Sequence, residues 1–297
     1  MECDRETLTD LNGAIEQNPD DTRAIAQRGE TYRQMEHFEA ALADFDRAIE
    51  LNPNYAWAIA HRGETYYQMK RYEEALDDFN RAIELNPDYI WAIAHRGVTY
   101  RFMGKRYYEK AMADFTQVIE LKPDYAWAIA YRCLIYELMG RYQEGLVDFD
   151  TAIALDQTLF TPWRSKRGLM LSYDGRYTEA IEWCEQALKD NPDDYLALYG
   201  IAVAKARWQG LFEAQAEINR ARSTLQAVVN STGRGDAIYR LGGLAALESK
   251  ADQALDSLKQ AIPLEDEAID LARHDHAWLE LRTNSKFQAL IAETIEV

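Results

Sequence analysis

A five-residue phrase returns four times along this chain at a spacing of about 34 residues. Arg28-Gly29-Glu30-Thr31-Tyr32 recurs as Arg62-Gly63-Glu64-Thr65-Tyr66, then as Arg96-Gly97-Val98-Thr99-Tyr100, then as Arg132-Cys133-Leu134-Ile135-Tyr136. Ala/Leu/Phe/Ala-Ile runs follow the copies, and Pro19, Pro53, Pro87, Pro123 and finally Gln157 punctuate them. A unit this short cannot bury its apolar face alone. It must stack on copies of itself, so the chain is an array whose core grows with each repeat.

Inside one unit, Ala56 to Met69 and Tyr72 to Leu85 form two helical stretches, separated by Lys70-Arg71 and stopped by Asn86-Pro87. Ile59, Gly63 and Tyr66 fall on one face of the first stretch; Ala75, Phe79, Ala82 and Ile83 fall on one face of the second. These are the expected buried stripes. Gly63 and Ala82 let two helix backbones approach, Tyr66 and Phe79 fill the joint, and Pro87 fixes the angle at which the next unit restarts.

That framework resembles the tetratricopeptide repeat, with its small residue and Tyr in the first helix, its Ala, aromatic and Ala in the second, and its terminal Pro. The resemblance implies an all-α, right-handed superhelical solenoid of antiparallel helix pairs closed by a C-terminal helical cap. Residues 1–21 read as an N-terminal half-repeat or cap helix. Residues 22–160 hold four regular units at 22–55, 56–89, 90–125 and 126–159, the third with two extra residues in its Met103–Tyr108 turn. Residues 161–230 hold two degenerate units, with Leu171 in the Tyr slot. Ser231 to Asp236 is the Gly-rich break and expected hinge, with Asp236 a candidate helix cap. A last unit at 237–264 and capping helices at 265–297 complete the chain, with Leu279 and Leu281 expected over the last repeat. Because Leu11, Ala14, Ile15 and Pro19 match only the second half of a repeat, a fragment of a longer protein is the favoured reading of the start.

The net charge of −17 repels phosphate backbones and anionic lipid, so neither nucleic acid nor a membrane is an expected partner. Cys3, Cys133 and Cys184 are odd in number and irregularly spaced, which indicates no disulfide framework. The start has no signal-peptide pattern and no stretch is apolar enough to span a bilayer, so a soluble, cytoplasmic chain is expected.

A second stripe runs along each first helix. At about 100° per residue, Trp57, Ala60, His61, Glu64, Tyr67 and Gln68 lie roughly half a turn from the core face. In the resembled family this side lines a peptide-binding groove. Carried over slot by slot, the groove presents Arg23, Ala26, Glu30, Arg33 and Gln34; then the residues just named; then Trp91, Ala94, His95, Val98, Arg101 and Phe102; then Trp127, Ala130, Tyr131, Leu134, Glu137 and Leu138. Trp57, Trp91 and Trp127 each sit in Tyr-x-Trp-Ala-Ile-Ala, two residues before the core Ile. They form either an aromatic ladder for a ligand's apolar side chains or packing against Tyr55, Tyr89 and Tyr125 at the preceding junctions. The family's Asn-based clamp for acidic C-terminal peptides has Gln27, His61, His95 and Tyr131 in its place, which argues against that function.

Arg28, Arg62, Arg96 and Arg132 are each matched by an acid before the second-helix aromatic: Asp44, Asp78, Asp114 and Asp148. Opposite charges repeating at fixed separation are the mark of structural ion pairs. His61 and His95 lack a third partner for zinc, and no metal is expected. His274 and His276 flank Asp275 in what reads as an exposed turn, while Cys133 and Cys184 occupy core slots. With no nucleophile elbow, phosphate loop or dinucleotide turn, neither an enzyme nor a cofactor is expected. The sequence points to a noncatalytic peptide- or protein-binding scaffold using the groove over 22–159, with Arg33 and Arg101 opposed by Glu30, Glu64 and Glu137 setting ligand register. The alternative is a structural or regulatory arm of a larger signalling or assembly protein, packing on its own domains or self-associating through exposed stacking faces.

Overall fold

The structure, a computed structural model, describes residues 2–156, 163–265 and 267–292. Among these, every regular element is a helix. The chain forms two compact units, Met1–Pro123 and Asp124–Val297. The expected unit boundary at 159–161 and residue Gln157 lie outside the described residues.

The first unit contains α1 (Glu2–Gln17), α2 (Thr22–Gln34), α3 (Phe38–Leu51), α4 (Ala56–Gln68), α5 (Tyr72–Leu85), α6 (Ile90–Phe102) and α7 (Tyr108–Leu121). Each helix packs on its successor, and the first helices α2, α4 and α6 also touch one another. The second unit contains α8 (Ala126–Leu138), α9 (Tyr142–Leu155), α10 (Arg164–Tyr173), α11 (Tyr177–Asp190), α12 (Tyr195–Trp208), α13 (Gln215–Thr232), α14 (Gly235–Leu247) and α15 (Ala251–Ala261). A short α16 (Ala268–His274), a 3-10 turn (His276–Leu281) and α17 (Ser285–Ala292) follow.

The period reappears in the backbone. The turn inside each helix pair places one residue at positive φ: Glu36 (62°), Lys70 (59°), Gly104 (88°), Gly140 (71°), Gly175 (81°), Gly210 (97°) and Ser249 (61°). This ends the first helix, because the following amides turn back to its last carbonyls: Lys70 N–H donates to Tyr67 and Arg71 N–H to Tyr66, both at 2.9 Å. Between units, Tyr55 N–H reaches Asn52 C=O at 3.1 Å and Tyr89 N–H reaches Asn86 C=O at 3.0 Å, fixing the Asn-Pro junctions. Asp21 and Asp194 cap α2 and α12 through their carboxylates.

Second-helix positions carry the core, with Ala41, Phe45 and Ala48 repeated as Ala75, Phe79 and Ala82, then as Ala111, Phe115 and Val118, all wholly buried. A Cβ placed on Gly63 would lie 3.1 Å from Asp78 Cβ and 3.2 Å from the Ala75 carbonyl oxygen, so this glycine sets the approach of α4 to α5. The two-residue insertion becomes a 3-10 turn at Lys105–Tyr107, in which Tyr107 stacks on Tyr100 at 5.8 Å while Tyr108 is buried.

Three local expectations need correction. Ser231 and Thr232 belong to α13, which leaves only Gly233 and Arg234 between helices. Asp236 lies within the first turn of α14 rather than at its cap, where its carboxylate accepts from Tyr195 Oη at 2.7 Å and Arg234 Nε at 2.9 Å. The turn at His274–His276 is not exposed: Asp275 has 0% accessible surface. Trp278, also fully buried, is the main anchor of this segment, stacked between Tyr239 at 5.7 Å and Phe287 at 5.9 Å, while Leu279 is only half-buried.

Candidate interaction faces

Of the four repeated arginines, Arg28, Arg62 and Arg96 hold three helices at once. Each guanidinium grips the Asp of its own unit through Nε and Nη2, at 2.7 and 2.7 Å for Arg28–Asp44, 2.7 and 2.6 Å for Arg62–Asp78, 2.9 and 2.6 Å for Arg96–Asp114, and 2.7 and 2.8 Å for Arg132–Asp148. Nη1 reaches back to the preceding second helix: Arg28 to Asn12 at 2.7 Å, Arg62 to Asp46 at 2.6 Å and Arg96 to Asn80 at 2.8 Å. The hydrogen bond to Asp78 is the largest influence on Arg62 and holds it firmly protonated. The fork is thus scaffold, joining successive repeats as well as helices. The Asn12, Asp46 and Asn80 slot escapes a reading confined to one unit. So does another recurrent contact, in which Arg47, Arg81 and Arg220 donate to the carbonyls of Pro19, Pro53 and Pro192. In the degenerate unit, Trp183 stands where the Asp should be, and Arg167 lies over its ring at 4.2 Å while bonding Asp150 of the preceding second helix at 2.8 Å.

On the other side of the first helices in the first unit, aromatic rings form a column. Trp57 lies 3.9 Å from His61, centroid to centroid, because the two are one helical turn apart. His61 in turn stacks on Trp91 of the next helix at 4.5 Å and 15°, and Trp91 on His95 at 3.9 Å. Carboxylates of the preceding first helix hold each imidazole: Glu30 Oε2 lies 3.0 Å from His61 Nδ1, and Glu64 Oε2 lies 2.6 Å from His95 Nδ1. Glu30 also accepts Arg33 Nε and Nη2 at 2.8 and 2.6 Å and Gln34 at 2.8 Å. Burial pushes the Glu30 carboxyl up, but the hydrogen bonds from His61 and Arg33 outweigh it and hold it at about 2.

Both readings of the tryptophans have a physical basis here. Trp57 contacts Tyr55 at 6.0 Å and Trp91 contacts Tyr89 at 6.2 Å, so each packs on its preceding junction. Each is nonetheless only half-buried. Arg23 and Gln68 are exposed, while Arg33, Tyr67, Arg101 and Phe102 are half-buried, with Tyr67 edge-on to Phe102 at 5.8 Å and Arg101 over the Phe102 ring at 4.8 Å. Glu64 and Val98, at 6% and 4% exposure, lie beneath this surface. In the second unit Trp127 stacks on Tyr125 and Tyr131, Leu134 is buried, and the buried Glu137 accepts Lys166 Nζ at 2.8 Å. Glu30, Arg33, Glu64 and Glu137 are therefore all engaged in contacts within the protein.

Later first helices hold a different device. Tyr173 of α10, Tyr199 of α12 and Tyr239 of α14 donate to one oxygen, Asp275 Oδ2, at 3.3, 2.7 and 2.9 Å. Asp275 Oδ1 accepts Ala277 N–H at 2.8 Å. Burial, reinforced by the Asp275 charge, pushes all three phenols well above their ordinary range and keeps them donors. Sequence reading assigned none of these residues a role, because the three tyrosines share no repeating neighbour.

Four family models match the chain, described as tetratricopeptide repeat over residues 56–89, 92–125 and 165–221 and as TPR repeat over 29–70. The chain is a tetratricopeptide repeat protein, a class of protein-interaction scaffolds. Among solved structures, a tetratricopeptide repeat protein from Parabacteroides merdae matches with a TM-score of 0.66 at 15% identity, over 93% of this chain and 99% of that one, and shows the shared fold. A thermophilic TPR protein of Thermus thermophilus is 24% identical with a TM-score of 0.46, covering 62% of this chain and 98% of its own. MamA is 23% identical with a TM-score of 0.46, over 51% and 87%. The comparison with curated proteins found no match. No helix among the described residues is long and apolar enough to cross a membrane.

Proposed function

We propose that this chain is a noncatalytic, cytoplasmic protein-binding scaffold whose first unit receives a partner segment against the Trp57–His61–Trp91–His95 column. The observation that supports it is the column itself: four rings from two helices, packed by their own junctions yet half-buried, and fixed from behind by Glu30 and Glu64. Rigid aromatic surface costs little entropy to bind against, which is why aromatic residues anchor so many interfaces. Tyr67 and Phe102 extend this surface. Trp127 offers the same slot in the second unit and is tested separately.

Affinity capture from cell extract tests the proposal, comparing the wild-type chain with a Trp57→Ala/Trp91→Ala variant and with Trp127→Ala. Proteins retained by the wild type and lost from the double variant, with helical content unchanged, support it. Identical recovery from both would remove the column from the binding surface.

A further inference from the structure

The first-helix face of the second unit is already covered, and by the chain itself. Residues Ala268 to Leu281 turn back along the helix pairs instead of adding another pair to the end: α16 contacts α8, and the 3-10 turn contacts α12 and α14. The contacts come from two slots that in the first unit hold the small, buried Ala60 and the exposed Gln68. Counting from the helix-contact position shared by Gly63, Gly168, Ala202 and Gly242, Tyr199 and Tyr239 match Ala60, and Tyr173 and Arg207 match Gln68. Three consecutive first helices thus converge on one carboxylate.

The fit has the anatomy of a ligand in a receptor. Asp275 supplies a buried charge met by three hydroxyls. Trp278, three residues on, stacks on Tyr239 of the helix pairs, with Phe287 of the same C-terminal segment on its other side. At the edge, Arg207 Nε donates to the His276 carbonyl at 2.8 Å and Arg207 Nη2 to Glu280 at 2.7 Å. Glycines clear the way: a Cβ on Gly243 would stand 2.2 Å from Tyr199 Oη, and one on Gly242 would stand 2.8 Å from the Trp278 ring. A plain end cap calls for apolar cover. A wholly buried carboxylate read by three phenols is instead a recognition feature, since its burial is costly unless every partner is in place.

We infer that this face is a second peptide-binding site, specific for a segment that presents a carboxylate and, three residues later, an indole, and that residues 268–281 are its resident ligand. This does not depend on the reading of the first unit. A peptide of the same Asp-x-x-Trp chemistry competes for the site, and the site opens when the segment leaves.

The test keeps the full chain. A protease site is inserted after Glu265, the folded protein is cleaved there, and exchange of the resident segment against a fluorescent peptide of sequence 265–297 is followed by anisotropy. The expected result is a cleaved chain that stays folded, takes up the labelled peptide, and binds Asp275→Asn or Trp278→Ala peptides about tenfold or more weakly, the effect of losing a buried charge-assisted contact or an aromatic anchor. A Tyr199→Phe chain, which keeps the ring and loses only the hydroxyl, should bind the wild-type peptide more weakly and blunt the preference for Asp275. Equal competition by all three peptides overturns the inference. So does a cleaved chain that unfolds, or one that exchanges only on unfolding, because the segment is then core and not ligand.

Discussion

Tyr199 donates its phenolic hydrogen to Asp275 across 2.7 Å, joining residues 76 apart in a chain whose other recurrent side-chain contacts stay within one repeat or its neighbour. Asp275 has no accessible surface, and its carboxylate accepts four hydrogen bonds. Replacing it with Asn keeps the volume but turns one acceptor into a donor facing the phenols. Asp275→Asn should lower stability by about 1–3 kcal/mol, read from the urea midpoint at neutral pH. An unchanged midpoint would mean the tyrosines hold the segment without the charge.

Gly63→Ala should destabilise the first unit by about 1–3 kcal/mol. The added methyl meets Asp78 Cβ at 3.1 Å and a backbone carbonyl at 3.2 Å, neither of which can swing aside. Thermal denaturation followed by circular dichroism checks this. Gly97 has contacts of 3.1 to 3.2 Å and should behave alike.

The Arg62–Asp78 fork has side-chain exposures of 20% and 7%. Asp78→Ala should cost about 3 kcal/mol, because it strands a partly buried guanidinium. The Arg62→Ala/Asp78→Ala double variant should cost less than the two single changes added together, with a coupling of about 1–3 kcal/mol in a double-mutant cycle. Asp46, half-exposed on the same guanidinium, should matter far less.

Glu30 gives the array an acid-sensitive joint. Its carboxyl sits at about 2, below the ordinary 4.5, so pairing with His61 and Arg33 favours the folded state. A depressed carboxyl stabilises fully above the unfolded value and loses that contribution as pH falls toward the folded one. The stability gap between the wild type and Glu30→Gln should therefore be constant above about pH 4.5 and narrow as pH drops toward about 2. Urea titrations at a series of pH values measure it, and a gap that widens on acidification would contradict the assignment.

How much of this was legible depended on repetition. Gly63, Phe79, Arg62 and Asp78 declared themselves because copies stand at the same spacing, and periodic copies reveal the forces that stack helices. Glu30 with His61 and Glu64 with His95 repeat too, 31 residues apart. They join adjacent units, so a reading confined to one unit assigned all four to a groove without linking them. Asp275 and Trp278 could not be read at all. Their partners Tyr173 and Tyr199 lie 102 and 76 residues upstream of Asp275, and Tyr239 lies 36 upstream. A contact made once leaves no period, and a polar His-Asp-His triplet outside the repeats resembles surface until the tyrosines close over it.

The binding role of the aromatic column is tested most directly by titrating a partner captured by the wild type against Trp91→Ala, with helical signal and melting monitored in parallel. The predicted result is an affinity at least about tenfold weaker, as expected for an interface anchor, in a variant that still melts cooperatively. Wild-type affinity in that folded variant would contradict it and leave Trp91 as packing between repeats.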